Sequence, residues 1–132
     1  LLENSHHVLD FLSKIKARNI SISLDDFGMG YSSLAYLSQF PIDKLKIDKA
    51  FISRIGDQKE EAIVNAIIAM GKAMGMQLIA EGVETTDHLE YLQQHGCDVL
   101  QGFYFSKALT ALETTAYLRQ YKHSLVSHSL RQ

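Results

Sequence analysis

The stretch SLDDFGMGYSSL (residues 23–34) sets two adjacent carboxylates, Asp25 and Asp26, directly after the apolar alternation ISISL, and follows them with two glycines and a run of hydroxyls. Carboxylates that close repel each other unless solvent, a helix N-terminus or a bound cation offsets the charge. Further polar residues stand at comparable places downstream: Lys46 and Asp48 in DKLKIDK, Glu81 in MQLIAEG and Gln101 in CDVLQG. Acids around a single lysine, with no Ser–His or Cys–His pairing, suit hard cations with oxygen ligands, such as Mg2+ or Mn2+. Asp25 could bridge two such ions, and Asp26, where the chain bends into a loop, could reach the second. A metal pair ~3.5–4 Å apart is the usual device for in-line attack of water on a phosphodiester. Lys46 would then orient the water or neutralise charge on the phosphoryl oxygens.

The elements that must position these residues are readable from periodicity. Residues 5–18 put Val8, Phe11, Leu12 and Ile15 on one helical face, with Asn19 as a stop. NISISLD (19–25) alternates with period two and predicts a strand, with Ile20, Ile22 and Leu24 sharing one face. A short helix over 32–39 ends before Pro41, and DKLKIDK (43–49) predicts a second strand with Leu45 and Ile47 on its apolar side. Asp57 and Glu60 form a candidate capping box for a long helix carrying Ile63, Ile67, Met70 and Met74 and closing at Gly75. MQLIAEG (76–82) is a third strand, a helix runs from Thr86 to His95-Gly96, and CDVLQG (97–102) is a fourth strand. TALE (110–113) is a capping box for a helix over 112–122, and the Ser/His-rich tail from Ser124 is expected to be frayed. Strands alternating with helices imply right-handed crossovers and a parallel sheet. Polar residues then collect at the C-terminal strand ends, where parallel α/β folds bind ligands.

Composition narrows the partners. The 132 residues, 46% of them hydrophobic, suffice for one core and not for two. Fifteen acidic against thirteen basic side chains leave no bulk charge for a nucleic-acid polymer or an anionic membrane. The single cysteine, Cys97, suits a reducing compartment, so a cytoplasmic location is expected, with any membrane tether in other parts of a longer parent. No apolar run approaches the roughly 20 residues of a membrane span. The start, LLENSHHVLDF, lacks a basic flank and does not read as a signal peptide; its abrupt helical onset suggests truncation. His6, His7, His88 and His95 are expected to face solvent, and Met70, Met74, Met76 and Cys97 to be core.

DDFGMGYSSL, KLKIDKAFI, AEGVET and QGFYFSKAL, in that order and at that spacing, resemble the successive motifs of the EAL family of cyclic-di-GMP phosphodiesterases over residues 5 to about 120. The resemblance implies a (β/α)8 barrel that linearises cyclic di-GMP (c-di-GMP) to pGpG with Mg2+ or Mn2+. It implies that Asp25 and Asp26 are the metal-binding pair, that Asp48 is the acid of the next strand and Glu81 a metal-binding or base-like glutamate, and that Lys46 lies near the catalytic water. Gln101 falls on the strand-end glutamine. Residues 27–33, with Phe27, Gly28, Gly30, Tyr31 and Ser32, match a loop coupling substrate, metal and dimer interface, and Glu84 matches the second acid of EGVE, in a supporting role. Met29 stands where the family has a small or hydroxyl residue, and Ala108 where it has proline.

The family's signature glutamate, and the asparagine and glutamate ligands that follow it, belong to the first half of such a barrel, and this sequence has no counterpart of that half. A (β/α)8 barrel needs about 250 residues. The expectation is therefore the C-terminal half of a (β/α)8 TIM-type barrel: a partial EAL domain over 1–123 and a disordered tail over 124–132. On this reading the intact parent, with any sensory or GGDEF-type domain, is the phosphodiesterase, and the 132 residues alone are inactive. The open edges of a half barrel favour self-association. The alternative is a non-catalytic receptor or interaction module that uses the same fold to bind c-di-GMP or a protein.

Overall fold

The computed structural model describes residues 2–29 and 34–129. Four strands, β1 (Ser23–Phe27), β2 (Lys44–Ile47), β3 (Gln77–Glu81) and β4 (Val99–Gln101), make one parallel sheet in chain order. Among the described residues six helices lie before, between and after them: α1 (Leu2–Lys16), α2 (Leu34–Gln39), α3 (Lys49–Ile52), α4 (Gln58–Ala73), α5 (Thr86–Gln94) and α6 (Ala111–Ser129), with α3 and α4 both between β2 and β3. The expected α/β order is present. Sequential parallel neighbours are the arrangement that a chain of right-handed βα units produces.

The register explains the two faces. Leu24, Leu45 and Leu78 lie abreast, as do Phe27, Ile47, Ala80 and Leu100. Leu45, Ile47, Leu78 and Ala80 are fully buried beneath α4, whose inward face is Val64, Ile67, Ile68 and Gly71. Burial of such side chains contributes about 1.5–3 kcal/mol each. The opposite face carries Lys44, Lys46, Ile79, Glu81 and Gln101. Asp57 caps α4 by accepting from the Lys59 and Glu60 amides, but the reciprocal partner is Glu61, which accepts from the Gly56 amide; Glu60 instead pairs with Arg54. Thr110 and Glu113 form the expected reciprocal box at the start of α6.

Several expectations are corrected. The inward face of α4 is shifted by one residue, leaving Ile63 44% and Met74 36% exposed, so of the three methionines only Met76 is fully in the core. β1 begins at Ser23 rather than Asn19, and Ile20, ahead of the strand, is 51% exposed. α6 continues to Ser129, so the expected tail is helical through that residue. α3, four residues capped by Asp48, was not anticipated as an element. Val8 and Phe11 of α1 and Leu112, Leu118 and Tyr121 of α6 are exposed.

At the N-terminal ends of the strands, acids are tied to backbone. Asp43 pairs with Lys16 and accepts from the Ile22 amide at 2.7 Å, and Asp98 accepts from the Leu78 amide at 2.7 Å.

Candidate functional site

Adjacent residues of a strand normally point to opposite faces, so the aspartate pair needs a device to act together. The register supplies it. Leu24 pairs with Leu45 and Phe27 with Ile47, so both Asp25 and Asp26 stand opposite the single residue Lys46. This bulge keeps Leu24 and Phe27 on the core side while both carboxylates emerge on the other. Asp26 takes φ 53°, a left-handed conformation that aspartate tolerates better than most side chains. Phe27, expected in the substrate loop, is instead 6% exposed within the core and anchors the bulge. Gly28 follows at φ 90°, where a Cβ would lie 2.8 Å from the Phe51 ring; only glycine suits both constraints.

Lys46 is the hub. Its Nζ lies 3.1 Å from Asp25 Oδ2 and 2.5 Å from Glu81 Oε1, bridging β1 to β3. Those two carboxylates, Glu81 foremost, raise the lysine pKa and keep it an ammonium. The Lys46 hydrogen bond, together with the Asp26 amide 2.8 Å from Oδ1, lowers the Asp25 pKa. Asp26 is pushed the other way: the charge of Asp25 first, then desolvation and the carboxylates of Asp48 and Glu81, raise its pKa. Asp48 is the N-cap of α3, accepting from the Ala50 amide at 2.7 Å. Two carboxylates thus share one ammonium, and two more, Asp26 and Asp48, stand close by without it.

The predicted residues divide clearly. Asp25, Asp26, Lys46, Asp48 and Glu81 gather at the C-terminal pole, and Gln101 stands beside Glu81 in the β3–β4 register, exposed. Glu84 lies apart, lining a cleft of about 280 Å3 with Lys49, Ser53, Gly82 and His88. Gly30, Tyr31 and Ser32 fall outside the described residues. Among the described residues no three His, Cys, Asp or Glu side chains are gathered as a metal-holding group; Lys46 occupies the space between Asp25 and Glu81.

Two histidine expectations fail. His88 is 8% exposed, its Nδ1 accepting from the Glu84 amide. His95 is half-buried, stacked on Tyr91 with ring centroids 4.2 Å apart. A T-x-x-H spacing at the start of α5 was the available signal for His88, since position N3 is where a side chain reaches back to the helix start. Cys97 is partly buried, and burial pushes its thiol pKa up, away from nucleophile chemistry. No helix among the described residues is long and apolar enough to cross a membrane.

Comparison with known proteins gives this geometry a context. The cyclic di-GMP phosphodiesterase NbdA of Pseudomonas aeruginosa is 40% identical over 123 residues, which are 92% of this chain and 16% of NbdA. The chain therefore spans about a sixth of that relative's length. The PaMucR phosphodiesterase, solved in complex with c-di-GMP, is 41% identical with a TM-score of 0.77, covering 83% of this chain and 45% of that one. BlrP1 of Klebsiella pneumoniae, solved with manganese and the same dinucleotide, is 34% identical with a TM-score of 0.68, covering 74% of this chain and 25% of that one. The four strands match part of a TIM-type barrel in these neighbours. The sequence profile of the EAL domain matches residues 1–108, and with four ordered motifs converging on one pole of a parallel sheet, the chain belongs to the EAL domain family.

Proposed function

We propose that this chain supplies one half of the active centre of a phosphodiesterase that opens c-di-GMP to linear pGpG. The observation that carries the reading is the Lys46 ammonium clasped between Asp25 and Glu81, with Asp26 crowded against them in carboxylate excess. The donor set, all carboxylate oxygen, fits Mg2+ or Mn2+, with Asp25, Asp26, Asp48 and Glu81 as the residues that would hold it. The bound cations would supply positive charge for an in-line displacement at phosphorus. In that displacement a water oxygen bonds to phosphorus and the bond to one ribose O3′ breaks, leaving a 5′-phosphate and a 3′-hydroxyl. Lys46 donates hydrogen bonds to the attacking water or a phosphoryl oxygen, and Glu81 is the carboxylate beside it that takes the water's proton. Gln101, at the end of the neighbouring strand, faces the substrate. The resemblance puts the signature glutamate and further metal ligands outside these 132 residues, and on that ground the 132 residues alone are expected to leave c-di-GMP intact.

The test is mutagenesis in a whole-barrel protein carrying this segment. Asp25→Asn and Lys46→Ala each lower turnover by about 100-fold or more, while His6→Ala, on the exposed face of α1, does not. Near-normal turnover in the Lys46 variant, assayed by chromatography for pGpG, would sink the assignment. We also infer that the isolated chain self-associates through the outer edges of β1 and β4, which pair with no other strand among the described residues. Sedimentation equilibrium at rising concentration reports it, and a strict monomer rules it out.

A further inference from the structure

We infer that His88 is a positioning residue: its imidazole closes a capping box that fixes the segment running from Glu81 into α5. Thr85 is the N-cap of α5, in extended conformation, and its hydroxyl accepts from the His88 amide at 3.2 Å. His88 answers by accepting from the Glu84 amide through Nδ1 at 3.3 Å. In the common form of this arrangement a glutamate or glutamine at the third helical position accepts from the N-cap amide; here a histidine that is 8% exposed accepts from the amide one residue earlier. An Nδ1 that accepts places the ring proton on Nε2.

The rest of the segment has no slack. Val83, fully buried, donates its amide to the Gln101 carbonyl at 3.0 Å, and its own carbonyl accepts from the Tyr104 amide at 2.9 Å. Gly82, at φ 76°, passes so near α3 that a Cβ would lie 2.5 Å from Lys49 Cβ. Residues 82–84 are therefore held by β4 on one side, α3 on another and His88 at the end. Glu81, immediately before them, extends its carboxylate to Lys46. Releasing the box frees the C-terminal end of a short segment whose other end is the candidate base. The role rests on the reading of Glu81 given above.

The closure can be undone by a proton, unlike one made by glutamine. Protonation turns Nδ1 into a donor facing the donor of Glu84, and the box opens. Lys49 of α3 and Glu84 of the loop line the same cleft as His88, and Asp87 precedes it on α5.

The experiment is NMR on the 132-residue chain without metal, followed by Mn2+ titration. Long-range nitrogen–proton correlations in the wild type show the Nε2–H tautomer at neutral pH. The protection factor of the Glu84 amide falls at least about fivefold in His88→Ala, the size of one lost hydrogen bond. It falls likewise in the wild type once the imidazole is protonated. His88→Gln, whose side-chain carbonyl accepts but does not titrate, keeps that protection at both pH values. Mn2+ broadening of the Asp25 and Asp26 amides requires several-fold more metal in His88→Ala and returns toward wild type in His88→Gln. An Nδ1–H tautomer, an unchanged Glu84 protection factor, or unchanged Mn2+ response in His88→Ala overturns the inference. Should His88→Ala fail to fold, the wild-type tautomer and the pH-independence of His88→Gln decide it. Tautomer and exchange are read with no metal present, so Mn2+ that fails to broaden the wild type counts against the metal reading and not against the box.

Discussion

The two ends of the sheet treat acidic side chains in opposite ways. At the N-terminal pole each carboxylate has its own partners: Asp43 takes Lys16 and the Ile22 amide, and Asp98 takes the Leu78 amide. At the C-terminal pole Asp25 and Glu81 share Lys46, Asp48 takes the Ala50 amide, and Asp26 is left with neighbours of its own sign. Matched charge at one end fastens loops to strands, whereas surplus charge at the other is useful only if something positive arrives. The same separation of stability from activity is expected of barrels of parallel strands. It follows here from the carboxylate environments alone.

The largest effect comes from the layer both poles share. Leu45→Ala, at a fully buried position between the sheet and α4, should lower stability by about 2–5 kcal/mol, read by urea denaturation, and weaken both ends together. A cost below 1 kcal/mol would mean that the poles are held independently of the core.

Next in size, the poles should separate. Asp98→Ala leaves the Leu78 amide without its acceptor and should cost about 1 kcal/mol. Asp26→Asn removes a charge that its neighbours oppose and should raise the Tm at neutral pH, a common pattern where function holds unfavourable groups. If Asp26→Asn lowers the Tm instead, the C-terminal pole is not under charge strain.

Acid should sharpen the contrast. Lys16 first, then the Ile22 amide, hold the Asp43 carboxyl below the ordinary carboxylate value. That stabilisation is present above the ordinary value and is lost as pH falls through the lowered one. Asp26 titrates above the ordinary value, so its charged form costs stability once pH rises past the raised value, and protonation on acidification relieves that cost. Asp43→Asn should therefore flatten the acid limb of the stability–pH curve, while Asp26→Asn should remove a gain on mild acidification. Identical curves for the two variants would erase the distinction.

The smallest effect is expected at Lys14. Its pair with Asp10 is one helical turn long and open to water, and such pairs contribute little. Lys14→Ala should leave the Tm within measurement error; a clear drop would mean that α1 depends on more than its apolar contacts.

Much of this was legible in the residues themselves. The alternation of Leu45 with Lys46 and Ile47, and of Leu78 with Ile79 and Ala80, identifies half-buried strands because their period is two, and both fall where expected. The polar strand ends Lys46, Asp48 and Glu81 do meet. Other features escape periodicity for physical reasons. Ile63 and Val64 occupy neighbouring apolar columns of α4, and packing against β3, not hydrophobicity, selects the second. The bulge at Asp25–Asp26 is a departure from alternation that no count of apolar residues reveals. Asp48 reads equally as strand end and helix cap; it lies one residue past β2 and caps α3. His88 escaped because an imidazole in a capping box has no apolar signature and resembles any surface histidine.

That bulge separates the fold from its chemistry in an unexpected way. Leu24 and Phe27 both face the core with two residues between them, where ordinary alternation would place one. Removing one aspartate would restore the simple rhythm of the strand: leucine inward, aspartate outward, phenylalanine inward. It would also delete the left-handed residue. The second carboxylate is thus an insertion that the sheet tolerates without needing it. A chain lacking Asp26 should fold at least as readily as this one, and would differ only in having a single acid opposite Lys46. Within such a scaffold the passage between an acid pair and a lone acid is one codon wide, and it leaves the hydrophobic core untouched.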